Sequence, residues 1–76
     1  MSRAPRLTGA QIIRALSRAG WVESRRAGSH VILHGPGSRP TRVVVPVHAG
    51  RTIKPKTFAS ILKQAGITME EFRRLL

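Results

Sequence analysis

The sequence of 76 residues contains no cysteine. A disulfide framework and a thiolate metal site are therefore excluded, and the fold must depend on burial of apolar side chains. No run approaches the roughly 18 apolar residues that a membrane-spanning helix needs, and the N-terminal residues lack the apolar segment of a secretion signal. We expect a soluble cytoplasmic protein, with a flexible tail over residues 1–6 and a single domain over residues 7–76.

Acidic residues are almost as scarce as cysteine. The chain has three, which are Glu23, Glu70 and Glu71. Paired catalytic carboxylates and a carboxylate magnesium site cannot be assembled from them, which excludes two-metal nuclease chemistry. The sequence contains no HExxH, P-loop or GxGxxG motif, and its histidines lack suitable partners for zinc. We therefore expect a function that needs neither a metal nor another cofactor.

Positive charge is abundant instead. Fourteen Lys and Arg residues give a formal net charge of +11. On so small a domain this charge creates a positive field over much of the surface, so the expected partner is a polyanion, with nucleic acid first. Eleven of these cations are arginine, whose planar group suits phosphate, although the codon bias of a GC-rich genome gives the same excess. An acidic partner protein would be attracted to the same surface.

A helix is predicted near the N-terminus. Thr8, followed three residues later by Gln11, has the form of a capping box, and apolar residues then recur at helical spacing. The pattern predicts a helix from Gly9 to Ala19, ended by Gly20.

Three short β-prone runs follow, separated by segments rich in turn residues. The runs are Trp21–Arg26, His30–His34 and Thr41–Val45. The connections, residues 27–29 and 35–40, are short and contain glycine, which predicts an antiparallel meander. Pro46 is expected to end the third strand.

Two more helices complete the predicted fold. Pro55 opens an amphipathic segment that continues to Ala65, and Thr68 with Glu71 forms a second capping box before a short final helix. The order αβββαα predicts an α+β fold, a three-stranded antiparallel sheet with its helices packed on one face. The other face of the sheet is expected to stay open.

Alternation along the second strand indicates which residues lie on each face. Val31 and Leu33 are the better candidates for the core, which leaves His30 and His34 on the open face. Ile32 interrupts the polar pattern of that face, and a slip of one residue would exchange the two sets.

The three histidines are the natural candidates for acid or base catalysis near neutral pH. His30 is favoured because it opens a strand directly after Ser29 in a hairpin, with Arg25 and Arg26 across from it. His34 lies two residues further along the same face and is either a second contributor or, as we favour, a polar strand end. His48 lies in a loop and is retained as an accessory candidate.

A second basic cluster precedes the predicted second helix. Arg51, Lys54 and Lys56 lie near free backbone amides and the positive end of the helix dipole, which favour an anion. Cations at this position oppose helix stability, and such a local conflict is expected where a phosphate binds. Exposed lysines without a ligand remain the alternative.

A metal-free mechanism suits RNA better than DNA. The 2′-hydroxyl of RNA is an internal nucleophile that a base can deprotonate for attack on the adjacent phosphorus, while cations stabilise the transition state. DNA lacks this hydroxyl.

Several segments together resemble one known family. They are Gly28–His30, Val43–His48, Ile53–Phe58, Ile61–Ile67 and Glu70–Phe72. In these residues and their spacing the sequence closely resembles the HicA toxins over nearly its whole length. One difference is that Lys56-Thr57-Phe58 stands where related sequences usually have Gly-Thr-Leu, which leaves the phosphate contacts there open.

The resemblance implies a fold like that of double-stranded-RNA-binding domains and metal-independent cleavage of mRNA by a single catalytic histidine, which maps onto His30. It also implies growth arrest, and neutralisation by a HicB antitoxin. The phosphate-holding residues would be Arg25, Arg26, Ser29, Lys54 and Lys56. Two alternatives remain open, a non-catalytic RNA-binding module of the same fold and a structural protein of the ribosomal type.

Overall fold

The computed structural model describes residues 5–37 and 41–76. The elements within these ranges are α1 (Gly9–Arg18), β1 (Val22–Ala27), β2 (His30–His34), β3 (Arg42–Pro46), α2 (Pro55–Ala65) and α3 (Met69–Arg73). The strands form an antiparallel sheet in the order β1-β2-β3. The α+β fold is therefore confirmed, and it is consistent with that of double-stranded-RNA-binding domains. None of the helices in the described ranges is long and apolar enough to cross a membrane.

Some element boundaries differ from those predicted. β1 begins one residue late because Trp21 is buried, 6% exposed, and its N–H donates to the Leu16 carbonyl at the end of α1. α1 ends at Arg18, and Ala19 is its C-cap. Residues 38–40 of the predicted second turn and residues 1–4 of the predicted tail lie outside the described residues.

The third strand ends at Pro46, as predicted, but Pro46 is itself the last residue of β3 and pairs with His30, so the strand extends one residue beyond the predicted Val45. Within β3 the N–H of Val44 points away from β2 and donates to Gln64 Oε1 at 3.0 Å. Pro46 is two residues further on and has the same orientation, so a proline there removes no bond to β2.

The core lies between the helices and one face of the sheet. Its sheet side is formed by the fully buried Val31, Leu33, Val43 and Val45, and the largest helical side chains on it are Ile12, Leu16, Phe58, Ile61 and Phe72. Val31 pairs with Val45, and Leu33 with Val43, so the apolar residues of two strands share a face. This confirms the predicted assignment of Val31 and Leu33 to the core.

Both predicted capping boxes are present. The Thr8 hydroxyl accepts from the Gln11 N–H at 3.2 Å, and Thr68 accepts from the Glu71 N–H at 3.0 Å. In return, the side chains of Gln11 and Glu71 accept from the N–H groups of the two threonines. These bonds satisfy amides that the first turn of a helix leaves without partners.

Candidate functional site

A tight hairpin positions His30. Two residues, Gly28 and Ser29, connect β1 to β2, and Gly28 has a φ of +59°. A glycine with positive φ at the first central position, followed by a residue with negative φ, is the pattern of a type II′ turn, whose twist suits a two-residue hairpin. The turn makes His30 the first residue of the central strand, where its side chain is exposed.

The cross-strand neighbours of His30 are Ala27 on β1 and Pro46 on β3. Neither side chain carries a hydrogen-bonding group, and within residues 5–37 and 41–76 the imidazole makes no hydrogen bond or ion pair. Both ring nitrogens are therefore free to exchange protons with a bound molecule. His34 is also exposed, as predicted, and pairs with Arg42 on the same open face.

A cleft of about 290 Å³ begins beside Pro46. Its lining consists of Pro46, His48, Arg51, Thr52, Ile53, Lys54 and Thr57. His48 and Arg51 are the first and last residues of a β-turn closed by a bond from the Arg51 N–H to the His48 carbonyl, at 3.0 Å. This turn brings His48, Arg51 and Lys54 into one basic cleft next to the partner of His30.

The two arginines predicted near His30 lie on different faces. Arg25 pairs with Ile32 on the open face, whereas Arg26 pairs with the buried Val31 and so lies on the helix side. Arg26 also forms an ion pair with Glu23, at 3.6 Å. Of the two, only Arg25 shares a face with His30.

Of the two lysines at the N-terminus of α2, Lys54 lines the candidate site and Lys56 does not. Lys54 is the N-cap, in an extended conformation without a side-chain capping bond, and it lines both the cleft beside Pro46 and a second one of about 520 Å³. Lys56 is exposed but lines neither. Ser29 is half-buried and is held in place through its carbonyl, which accepts from the Val47 N–H at 2.6 Å.

The surroundings of His30 are uniformly basic or neutral. Glu23 faces the helix side of the sheet, opposite Leu33, and the other two acidic residues lie on α3. The described part of the chain contains no group of three His, Cys, Asp or Glu residues that could hold a metal ion. An anion approaching His30 therefore meets cations without a competing carboxylate.

Arg42 was not among the candidate binding residues predicted from the sequence, and Arg51 was predicted only as part of the basic cluster before the second helix. Alternation along the third strand could have identified Arg42, because Val43 and Val45 are apolar and their neighbours must face the other way. The position of Arg51 in the cleft depends on the turn that starts at His48. Gly50 could have indicated this turn, because glycine is favoured in turns.

The molecule thus belongs to a class of small α+β proteins that expose a histidine on the open face of a strongly basic antiparallel sheet. A sequence model of the family described as HicA toxin of bacterial toxin-antitoxin matches residues 9–67. Because the match covers most of the chain, the protein belongs to the HicA toxin family, and it is a toxin of a toxin–antitoxin system with a cognate antitoxin as partner. No curated protein matches the chain.

Proposed function

We propose that the protein is an endoribonuclease that cleaves mRNA in the cytoplasm without a metal ion, with His30 as the catalytic residue, and that a HicB-type antitoxin neutralises it. One observation carries the proposal. His30 exposes a free imidazole at the end of the central strand, and its partner Pro46 borders a cleft lined by Arg51 and Lys54. Membership of a toxin family supports the same conclusion.

The chemistry needs only groups that the site supplies. The neutral imidazole of His30 accepts the proton of a 2′-hydroxyl, and the resulting oxygen attacks the adjacent phosphorus. Cations near the phosphate stabilise the negative charge that builds up on its oxygens in the transition state. DNA has no 2′-hydroxyl and is not a substrate for this reaction.

The phosphate contacts are assigned by the position of each residue relative to His30, on the sheet or in the cleft beside Pro46. Ser29 precedes His30, and Arg25 shares its face, so these two hold the phosphate that is cleaved or its nearest neighbour. Lys54 binds the next phosphate in the cleft. Arg26 and Lys56 lie outside this group and bind flanking phosphates, which their charges attract over a longer range.

The direct test is incubation of the purified protein with labelled single-stranded RNA in the presence of EDTA. Wild type is compared with H30A and with H34A, which removes an exposed histidine from the same strand and face. We expect cleavage by wild type and H34A and loss of cleavage in H30A. RNA affinity and thermal stability should change little, because His30 is exposed and makes no bond within the described residues.

Three results would contradict the proposal. Cleavage by H30A at the wild-type rate would remove the catalytic assignment. Intact RNA with all three folded proteins, combined with salt-dependent binding, would instead indicate a non-catalytic RNA-binding module. Activity that disappears in EDTA and returns with a divalent cation would overturn the metal-free mechanism.

A further inference from the structure

The chain beyond β3 stays alongside the hairpin that carries His30. The Val47 N–H donates to the Ser29 carbonyl at 2.6 Å, which extends the pairing of the two strands by one residue. The side chain of Val47 points to the helix side, since its Cγ2 lies 3.1 Å from where a Cβ on Gly9 would be. Side chains alternate along an extended chain, so Pro46 lies on the open side, and continued alternation past Val47 assigns His48 to the same side.

Extension of the strand pairing through Val47 gives His48 the position of a diagonal neighbour of His30. Pro46 pairs directly with His30, and His48 is two residues further along. Diagonal neighbours in an antiparallel sheet are about 7–8 Å apart. Both histidines are exposed, and among the described residues neither side chain has a hydrogen-bond partner. Two free imidazoles therefore lie near Pro46, with His30 across the strands from it and His48 two residues beyond it, and Arg51 lines the cleft beside Pro46 and His48.

We propose that His48 is a second catalytic residue, the general acid that protonates the leaving 5′-oxygen of the RNA. The inference rests on the proposed function and replaces the single catalytic histidine by a pair. Two imidazoles on residues about 7–8 Å apart can reach the two sides of one phosphate group, where one removes a proton while the other supplies one. A loop position alone gave no reason for this role; the spacing from His30 does.

The reaction balances without another reactant. His30, as the neutral imidazole, takes the proton of the 2′-hydroxyl while the 2′-oxygen forms a bond to phosphorus. The bond between phosphorus and the 5′-oxygen breaks, and imidazolium His48 gives its proton to that oxygen. The products are a 2′,3′-cyclic phosphate and a 5′-hydroxyl, and exchange of protons with water returns both histidines to their starting forms.

The test uses an RNA oligonucleotide in which sulfur replaces the bridging 5′-oxygen at the position that wild type cleaves. A thiolate leaves without being protonated, so this substrate needs a base but no acid. H48A, H30A and H34A are each assayed on the normal and the sulfur-substituted RNA. Thermal unfolding of each variant checks that it is folded, and H48Q supplies a second substitution that preserves more of the side-chain volume.

H48A and H48Q are expected to cleave normal RNA roughly 10²- to 10⁴-fold more slowly than wild type and to cleave the sulfur-substituted RNA within a few-fold of it. H34A should resemble wild type on both substrates. If the His48 variants lose activity equally on both RNAs, or on neither, the general-acid role is wrong. The base is tested separately: H30A should lose activity on both substrates, and in this experiment retention of activity by H30A would contradict the proposed function, whatever the His48 variants do.

Discussion

The carbonyl oxygen of Pro46 lies so close to Gly9 that a Cβ on this glycine would clash with it. Gly9 is the buried first residue of α1, and Pro46 is the last residue of β3 and the partner of His30. The contact therefore fixes the start of the first helix against the end of the sheet that carries the candidate site. A backbone atom cannot move aside as a flexible side chain can.

Substitution of Gly9 by alanine should consequently destabilise the protein. We expect a loss of about 1–3 kcal/mol in the free energy of unfolding, as for other overpacked interiors. Urea unfolding followed by circular dichroism measures it. Ala10→Ser, at the next and exposed position of α1, is the control and should change stability by less than about 0.5 kcal/mol. Wild-type stability in G9A would mean that the helix does not approach the sheet this closely.

The short helix α3 is held by an aromatic pair. The rings of Phe58 and Phe72 are 5.1 Å apart between centroids with an interplanar angle of 80°, and both side chains are buried. F72A should lower the free energy of unfolding by about 3–5 kcal/mol, because it removes a buried ring and its edge-to-face contact. The comparison is L76A, where the side chain is 55% exposed and a small effect is expected. Similar effects in both variants would argue against the packing of α3 on α2.

Arg25 and Arg26 should differ in their effect on binding, although they are adjacent in sequence. R25E is expected to weaken binding of both RNA and an acidic antitoxin by about tenfold, or roughly 1.4 kcal/mol, because Arg25 shares the open face with His30. R26E should have a smaller effect, because Arg26 faces the helix side and pairs with Glu23. Fluorescence anisotropy at several salt concentrations measures both. Equal losses would indicate that partners bind along the edge of β1 rather than across the open face.

The second capping box should make stability depend on pH. The Thr68 N–H, followed by the Thr68 hydroxyl, holds the pKa of the Glu71 carboxyl below its ordinary value. Because the folded pKa is lower than the unfolded one, the stabilisation is fully present above the unfolded pKa and is lost as pH falls through the folded pKa. Thermal midpoints measured from neutral into acidic solution should therefore decline less steeply in E71Q than in wild type. E70Q, on the same turn, is the control; a pH dependence equal in E71Q and wild type would exclude this contribution.

Much of the fold could be predicted from local patterns. The pairs Thr8 with Gln11 and Thr68 with Glu71 identify two helix starts because a capping box requires only a spacing of three residues. The alternation of Val31 and Leu33 with polar neighbours predicts correctly which face of β2 is buried. Helix starts and the buried face of a strand depend on residues close together in the sequence, so local sequence patterns are enough to predict them.

The details of the candidate site depend on contacts that local patterns do not contain. The hairpin closes on two residues, so Ala27 pairs with His30, and this register puts Arg25, rather than Arg26, on the face of His30. The register shift between Glu23 and Arg25 then turns Glu23 to the helix side. The diagonal position of His48 likewise depends on the bond from Val47 to Ser29, between residues far apart in the chain. Alternation along a single strand predicts neither arrangement.

The bond between Gln64 and the Val44 N–H has a consequence for the behaviour of the protein at high concentration. An unpaired strand edge is a template on which a second chain can add a strand, and this is a route to fibrils. Gln64 accepts from the Val44 N–H in the middle of β3, which is one edge strand of the sheet. The register shift distorts β1, the other edge strand. Stacking of sheets edge to edge is thus hindered on both sides, which favours a molecule that stays dispersed while it accumulates.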